Sequence, residues 1–242
     1  MNKLFFSHYL KYSKNHLTSF VFIFPLLILY EFFSFLEFSN ESFIIRNSAD
    51  SLLRDFFSYF IIESTYYYTF LFILFSIYMI ITNKDEISKY VIKVNYLFVM
   101  YIEGLIAGIL ILFFLNNNIL AYSVDYYDDL FLTFYLCLGA GIWEEILFRF
   151  ILITFLLFFL SKIILIKDIK YFISILTSSI LFSAFHYIGT GADIYSHHTF
   201  IVRFLGGFIL SIIYLYRGLG ISSMAHFCYD FFLVSFPIIK IS

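Results

Sequence analysis

The sequence predicts an all-α membrane protein, a polytopic transmembrane helical bundle of about seven spans with one interfacial amphipathic helix. Hydrophobic residues make up 62% of the 242 residues and charged residues 13%, and the mean hydropathy is +0.92. Apolar stretches long enough to cross a bilayer recur along the chain, and basic residues fall in alternate loops between them. A soluble domain of this length could not stay in solution with such a composition.

The first predicted span covers residues 17–36 and follows an N-terminal segment that carries three lysines. No small-x-small cleavage site comes after it, so we interpret it as an uncleaved span and not as a signal peptide. A membrane helix needs about twenty apolar residues. By that measure the other predicted spans are 65–82, 95–115, 130–160, 171–188, 200–216 and 219–236.

The distribution of charge predicts the orientation, because cytoplasmic loops are enriched in Lys and Arg. The N-terminus and the second, fourth and sixth loops contain basic residues, whereas the third and fifth loops contain acids without bases. The basic set is Lys3, Lys11, Lys14, Lys84, Lys89, Lys93, Lys162, Lys167, Lys170 and Arg217, and the acidic set is Asp125, Asp128, Asp129 and Asp193. We therefore expect a cytoplasmic N-terminus and a C-terminus outside.

Between the first two spans, Arg46, Asp50 and Arg54 recur at i, i+4 and i+8. The apolar residues of this segment fall largely on another face; they are Leu52, Leu53, Phe56, Phe57 and Phe60. The pattern predicts an interfacial amphipathic helix that is either held by two ion pairs or guides a substrate. Residues 1–129 would then form N-terminal membrane helices with this interfacial helix, and residues 130–236 a catalytic core.

An ionisable side chain at the centre of a spanning helix costs about 2.5–3.5 kcal/mol on insertion scales, so each one indicates a functional site. Span 130–160 contains Glu144, Glu145 and Arg149. Glu145 and Arg149 are four residues apart with the acid first, which favours a structural ion pair. On an α-helix Glu144 points about 100° away from that pair, and an unpaired carboxylate in this setting can act as a general base.

Two later spans add further polar groups. The fifth span ends in Phe182-Ser-Ala-Phe-His186, and the seventh contains His226 and Asp230, one helical turn apart. Because lipid satisfies none of these groups, they must meet one another in a shared cavity. Carboxylates and imidazoles together can activate water and stabilise an oxyanion, which points to hydrolysis of an amide.

These residues resemble the CPBP intramembrane proteases, which include type II CAAX prenyl proteases and bacteriocin-processing, Abi-like proteins. The family motifs Glu-Glu-x-x-x-Arg, Phe-x-x-x-His and His-x-x-x-Asn or Asp occur in order, and the similarity covers roughly residues 130–235. The resemblance implies that Glu144 and His186 activate water and that His226 and the residue at 230 steady the oxyanion or help hold a metal. Glu145, Arg149 and Phe182 would support the site.

The resemblance leaves the cofactor open between none and a divalent metal such as zinc, with Glu144, His186, His226 and Asp230 as ligands if a metal is used. Many members have Asn where this chain has Asp230. An Asn amide donates to an oxyanion, whereas an ionised Asp only accepts. Asp230 is therefore protonated, orients His226, or binds a metal with it.

Other enzyme classes fit the sequence less well. Zincins need His-Glu-x-x-His and rhomboids need Gly-x-Ser-Gly, and neither motif is present. Aspartyl intramembrane proteases pair Tyr-Asp with a later Gly-x-Gly-Asp, whereas here Tyr229-Asp230 comes after a Gly-x-Gly stretch that has an extra residue before Asp193. The alternative outside enzymes is a membrane immunity factor, scaffold or small transporter that uses the same polar pocket structurally.

Partners and remaining residues follow from the same composition. The expected partners are the bilayer and a membrane-associated protein or peptide substrate. Nucleic acid is not expected, because the basic residues are scattered singly. Cys137 and Cys228 lie in apolar runs and are expected to be reduced core residues. Glu31 and Glu103 are expected to form structural pairs.

Overall fold

The computed structural model describes residues 3–38, 45–59, 66–82, 93–119, 130–189 and 192–235. Within these ranges every regular element is a helix. The elements are α1 (Lys3–Ser13), α2 (His16–Phe38), α3 (Ser48–Ser58), α4 (Tyr67–Thr82), α5 (Val94–Ile119), α6 (Leu130–Gly139), the π-helical segment π1 (Ala140–Ile153), α7 (Thr154–Leu160), α8 (Lys167–Phe185), α9 (His197–Arg217) and α10 (Leu219–Ser235). The predicted all-α bundle is confirmed, and α1 is a helix that the prediction lacks.

Four helical segments are long and apolar enough to cross a membrane. They are His16–Leu36, Val94–Leu115, Lys167–Phe185 and His197–Arg217, and a shorter apolar helix covers Tyr68–Tyr78. The chain is thus an integral membrane protein, while the total of seven spans, the cytoplasmic N-terminus and the division at residue 129 stay predictions. Several residues used for these predictions lie outside the described residues, namely Phe60, Lys84, Lys89, Asp125, Asp128 and Asp129.

Helix α10 is central to the bundle and packs more extensively against α5 than any other two described elements pack together. Gly104 and Gly108 of α5 allow this approach, since a β-carbon at Gly108 would lie 2.6 Å from the Ala225 carbonyl oxygen. Small residues at such spacing are typical of membrane helices whose backbones lie close together. Helix α10 also packs against π1, which brings its polar residues to those of the predicted span 130–160.

Helix α3 turns its charged face towards the protein. Asp50 and Arg54 are buried, Asp50 accepts hydrogen bonds from Arg46 (3.0 Å) and Arg54 (2.5 Å), and Glu31 of α2 accepts from both arginines. The apolar side chains that point outwards include Leu52, Phe56 and Phe57. The two predicted ion pairs and the structural role of Glu31 are therefore confirmed. The helix presents its apolar face outwards because Asp50 and Arg54 pair with each other and with Glu31 inside the bundle.

Burial by itself would lower the pKa of the Arg46 guanidinium, but hydrogen bonds and charge from Glu31, with a further contribution from Asp50, raise it above its ordinary value. Arg46 therefore remains charged in place.

A second, half-buried cluster joins three helices: Glu103 of α5 accepts from Arg217 (2.5 Å) at the end of α9 and from Tyr9 (2.5 Å) of α1. The predicted structural pairing of Glu103 is thus confirmed, and its partners anchor α1.

Candidate active site

The two adjacent glutamates lie in π1, where the backbone is wound more widely than in an α-helix. Wider winding leaves a smaller angle between successive side chains than the about 100° of an α-helix. Glu144 and Glu145 are both buried, and both face His226 of α10. Glu144 is thus turned from the Glu145–Arg149 pair by less than the about 100° expected for an α-helix, and both acids contact His226.

Glu145 joins the two elements that form the site. Its Oε1 lies 3.1 Å from Arg149 Nη1 and 2.9 Å from His226 Nδ1. All three side chains are almost completely buried. The predicted Glu145–Arg149 ion pair is therefore present, and Glu145 also holds the imidazole of His226. Gly141 allows α10 to come this close, because a β-carbon there would lie 2.7 Å from the Ser223 carbonyl oxygen.

The second ring nitrogen of His226 lies near two further carboxylates. Its Nε2 lies 3.2 Å from Asp230 Oδ2 and 3.8 Å from Glu144 Oε2. Asp230 is the most exposed of the three acids, with 26% of its side chain accessible. Each ring nitrogen of His226 thus lies beside a carboxylate, which accepts a hydrogen bond when that nitrogen carries a proton.

The two oxygens of Glu144 differ in their surroundings. Its Oε1 accepts a 2.8 Å hydrogen bond from the side-chain amide of Asn47, immediately before α3. Its Oε2 is buried and has no hydrogen-bond partner. A buried carboxylate oxygen without a donor is energetically costly. This oxygen is therefore an acceptor without a donor, 3.8 Å from His226 Nε2.

His186, at the end of α8, is held separately from the acids. Its Nδ1 lies 3.0 Å from the Phe182 carbonyl oxygen, and because a carbonyl only accepts, that nitrogen carries the proton. The Phe182 ring contacts both imidazoles, with centroids 5.1 Å from His186 and 5.6 Å from His226. Among the described residues, no hydrogen bond or ion pair joins His186 to Glu144.

Phe182 also contacts Arg149. Its ring centroid lies 4.3 Å from the guanidinium carbon, a cation-π contact that supports the site.

The candidate metal ligands do not fit a metal site in this arrangement. Within the described residues, no three His, Cys, Asp or Glu side chains are placed to hold an ion together. The reason is local: carboxylates lie against both nitrogens of His226, and His186 is directed by the Phe182 carbonyl. Cys137 and Cys228 are free and buried, as predicted.

Asn47 is the site residue that the sequence does not reveal. It is 97 positions from Glu144, in a segment that shows only a helix-start signal, Asn followed by Ser-Ala-Asp. Tyr30 is a second such residue, because its hydroxyl donates to Asp50 and lies 3.4 Å from the Asn47 backbone nitrogen. Neither contact follows from local sequence, since both depend on how α2 and α3 pack against π1.

Comparison with known proteins supports the resemblance. Residues 127–232 match the family model described as type II CAAX prenyl endopeptidase Rce1-like. This range contains all three motifs, from Glu144 to Asp230. No curated protein and no solved structure matches the chain significantly. Over residues 127–232, a little under half of its length, the chain is thus similar to the Rce1-like, type II CAAX prenyl endopeptidases.

Proposed function

We propose that this protein is an intramembrane endopeptidase that hydrolyses a peptide bond of a membrane-associated protein or peptide, using water activated by Glu144. The observation that carries the proposal is the unpartnered, buried Oε2 of Glu144, 3.8 Å from His226 Nε2. Its other oxygen is fixed by Asn47. An oriented carboxylate beside a hydrogen-bond donor is the arrangement that general-base hydrolysis requires.

The reaction follows from these positions. Glu144 Oε2 takes a proton from water, and the water oxygen attacks the carbonyl carbon of the substrate. The carbonyl oxygen becomes an oxyanion that shares the Nε2–H donor of His226 with Asp230. When the tetrahedral intermediate collapses, the C–N bond breaks and Glu144 returns the proton to the leaving amine. No step is assigned to a metal, because the ligand set does not fit one, and His186 is proposed to assist through its Nε2.

An apolar cavity reaches Trp143, the residue next to the proposed base. A cavity of about 320 Å³ lies between α2, α3, α4 and π1. Its walls are mainly aromatic and aliphatic, and Trp143, which precedes Glu144, is one of them. We propose that this cavity accepts the apolar segment next to the scissile bond.

The test is cleavage in proteoliposomes of two fluorogenic peptides, one a farnesylated CAAX peptide and one a membrane-anchored peptide without a lipid group. Wild type should cleave at least one of them. His226→Ala should lower the rate by about 10²–10³, the usual cost of removing one oxyanion donor. His197→Ala, at an exposed histidine, is the matched control and should cleave like wild type. Failure of wild type on both peptides, or undiminished cleavage by His226→Ala, would contradict the proposal.

A second prediction concerns Asp230. We propose that it orients His226, because its Oδ2 lies 3.2 Å from Nε2. Asp230→Asn should therefore cleave at least as fast as wild type, since the amide oxygen still accepts from His226 and the amide nitrogen can donate to the oxyanion. Asp230→Leu should lose about 10²-fold in rate, because the oxyanion donor is no longer held in place. Equal loss in both variants, measured in the same cleavage assay, would show that the charge of Asp230 is needed.

A further inference from the structure

The amide of Asn47 connects helix α3 to the proposed base. Its Oδ1 accepts a 2.9 Å hydrogen bond from the Ala49 backbone nitrogen and so caps the start of α3. Its Nδ2 donates to Glu144 Oε1 at 2.8 Å. Because an amide has one accepting and one donating end, the cap determines which end faces Glu144. The start of α3 therefore presents a fixed donor to the glutamate.

The backbone on both sides of this amide is anchored to other helices. Tyr135 of α6 donates to the Ile45 carbonyl oxygen at 3.0 Å, and Arg46 pairs with Glu31 of α2 at 2.8 Å. The rings of Tyr30 and Tyr135 stack with centroids 4.8 Å apart. Residues 45–47 are thus held against α2 and α6, so the position of the amide is set by the packing of the bundle.

Fixing one oxygen of a carboxylate also fixes the direction of the other. With Oε1 bound to Asn47, Oε2 of Glu144 is left facing His226 without a donor of its own. A base held this way needs no reorientation when water and substrate arrive. We infer that Asn47 is a positioning residue for Glu144, and that α3 contributes this donor to the reaction from outside the part of the chain that contains the three motifs. The inference rests on the proposed function of Glu144.

The simpler alternative is that Asn47 serves only as a helix cap, and Asn47→Asp separates the two roles. Asp caps helices as well as Asn does, but it replaces the donor to Glu144 with a carboxylate. We expect kcat on the cleaved peptide to fall by about 10²-fold with KM little changed, because the base is misplaced while substrate binding is intact. The matched control is Asn15→Asp, since Asn15 Oδ1 caps α2 through the Leu17 backbone nitrogen at 2.8 Å. That variant should keep the wild-type kcat.

A second measurement does not depend on catalysis. In thermal unfolding, Asn47→Asp should lower the Tm in the wild-type background, where two carboxylates face each other. It should lower the Tm much less in the Glu144→Gln background, because the amide introduced at position 144 can donate to the carboxylate introduced at position 47. An equal loss in both backgrounds, or an unchanged kcat in Asn47→Asp, would overturn the inference. If Glu144→Gln itself cleaves normally, the proposed function fails, while the coupling between positions 47 and 144 is still tested by the Tm values.

Discussion

Glu144→Gln is expected to abolish most peptidase activity while the protein still folds. Glutamine has the shape of glutamate, and its Oε1 can accept the same hydrogen bond from Asn47 that Glu144 accepts at 2.8 Å. It cannot take a proton from water, so the rate should fall by about 10²–10⁴, the usual contribution of a general base. The rate is measured on the peptide that wild type cleaves, and the folded yield is measured by size-exclusion chromatography of the same preparation.

The matched control for this experiment is Glu103→Gln. Glu103 is a half-buried glutamate of another spanning helix, and its hydrogen bonds and ion pair are with Arg217 and Tyr9 and not with the residues of the motifs. Its replacement should cost some stability and leave the rate per folded molecule unchanged. If Glu144→Gln cleaves like wild type, or loses activity only in proportion to its folded yield, the pocket is structural and the protein is a non-catalytic membrane factor.

The core of the site could be predicted because membrane burial makes polar residues conspicuous. Glu144, Glu145, Arg149, His226 and Asp230 occur in apolar surroundings, where each needs a partner. Their order in three motifs also agrees with the family. The predicted ion pair and the approach of His226 to Asp230 both appear in the structure. The spacing within one helix was sufficient to predict each pair. The need of buried polar groups for partners was sufficient to predict that the helices meet.

Other features could not be predicted because they depend on packing between distant segments. The hydrophobic pattern of α3 shows that it has two faces, but not that Arg54 and Asp50 face inwards to meet Glu31. The π-helical winding around Glu144 could not be predicted, because the same hydrophobic pattern favours an α-helix and a π-helix. Contacts of Asn47 and Tyr30 arise only once α2, α3 and π1 are in place, because no local signal relates residues so far apart.

Arg149→Met is expected to damage folding more than any other single change in the site. The Arg149 side chain is completely buried, with its Nη1 3.1 Å from Glu145 Oε1 and its guanidinium 4.3 Å from the Phe182 ring. Removing the cation leaves the Glu145 charge buried without its principal counter-charge, which typically costs about 3–5 kcal/mol. The measurement is the free energy of unfolding in a denaturing-detergent titration, together with the folded yield. Arg217→Gln, which breaks the more exposed pair with Glu103, should cost about 1 kcal/mol or less.

A double variant tests whether the stability lost in Arg149→Met comes from the Glu145 charge, which is then buried without a counter-charge. Arg149→Met combined with Glu145→Gln removes both charges, and the amide oxygen introduced at position 145 can still accept from His226 Nδ1, which lies 2.9 Å from Glu145 Oε1. Since replacing both members of a buried pair is often nearly neutral, the double variant should regain most of the lost stability. It should still cleave slowly, because a neutral amide holds the imidazole of His226 less strongly than the Glu145 carboxylate does. If the double variant is as unstable as Arg149→Met, the charge of Arg149 is not what stabilises the site. Its contacts with the Phe182 ring and with the Gly207 carbonyl oxygen would then do so.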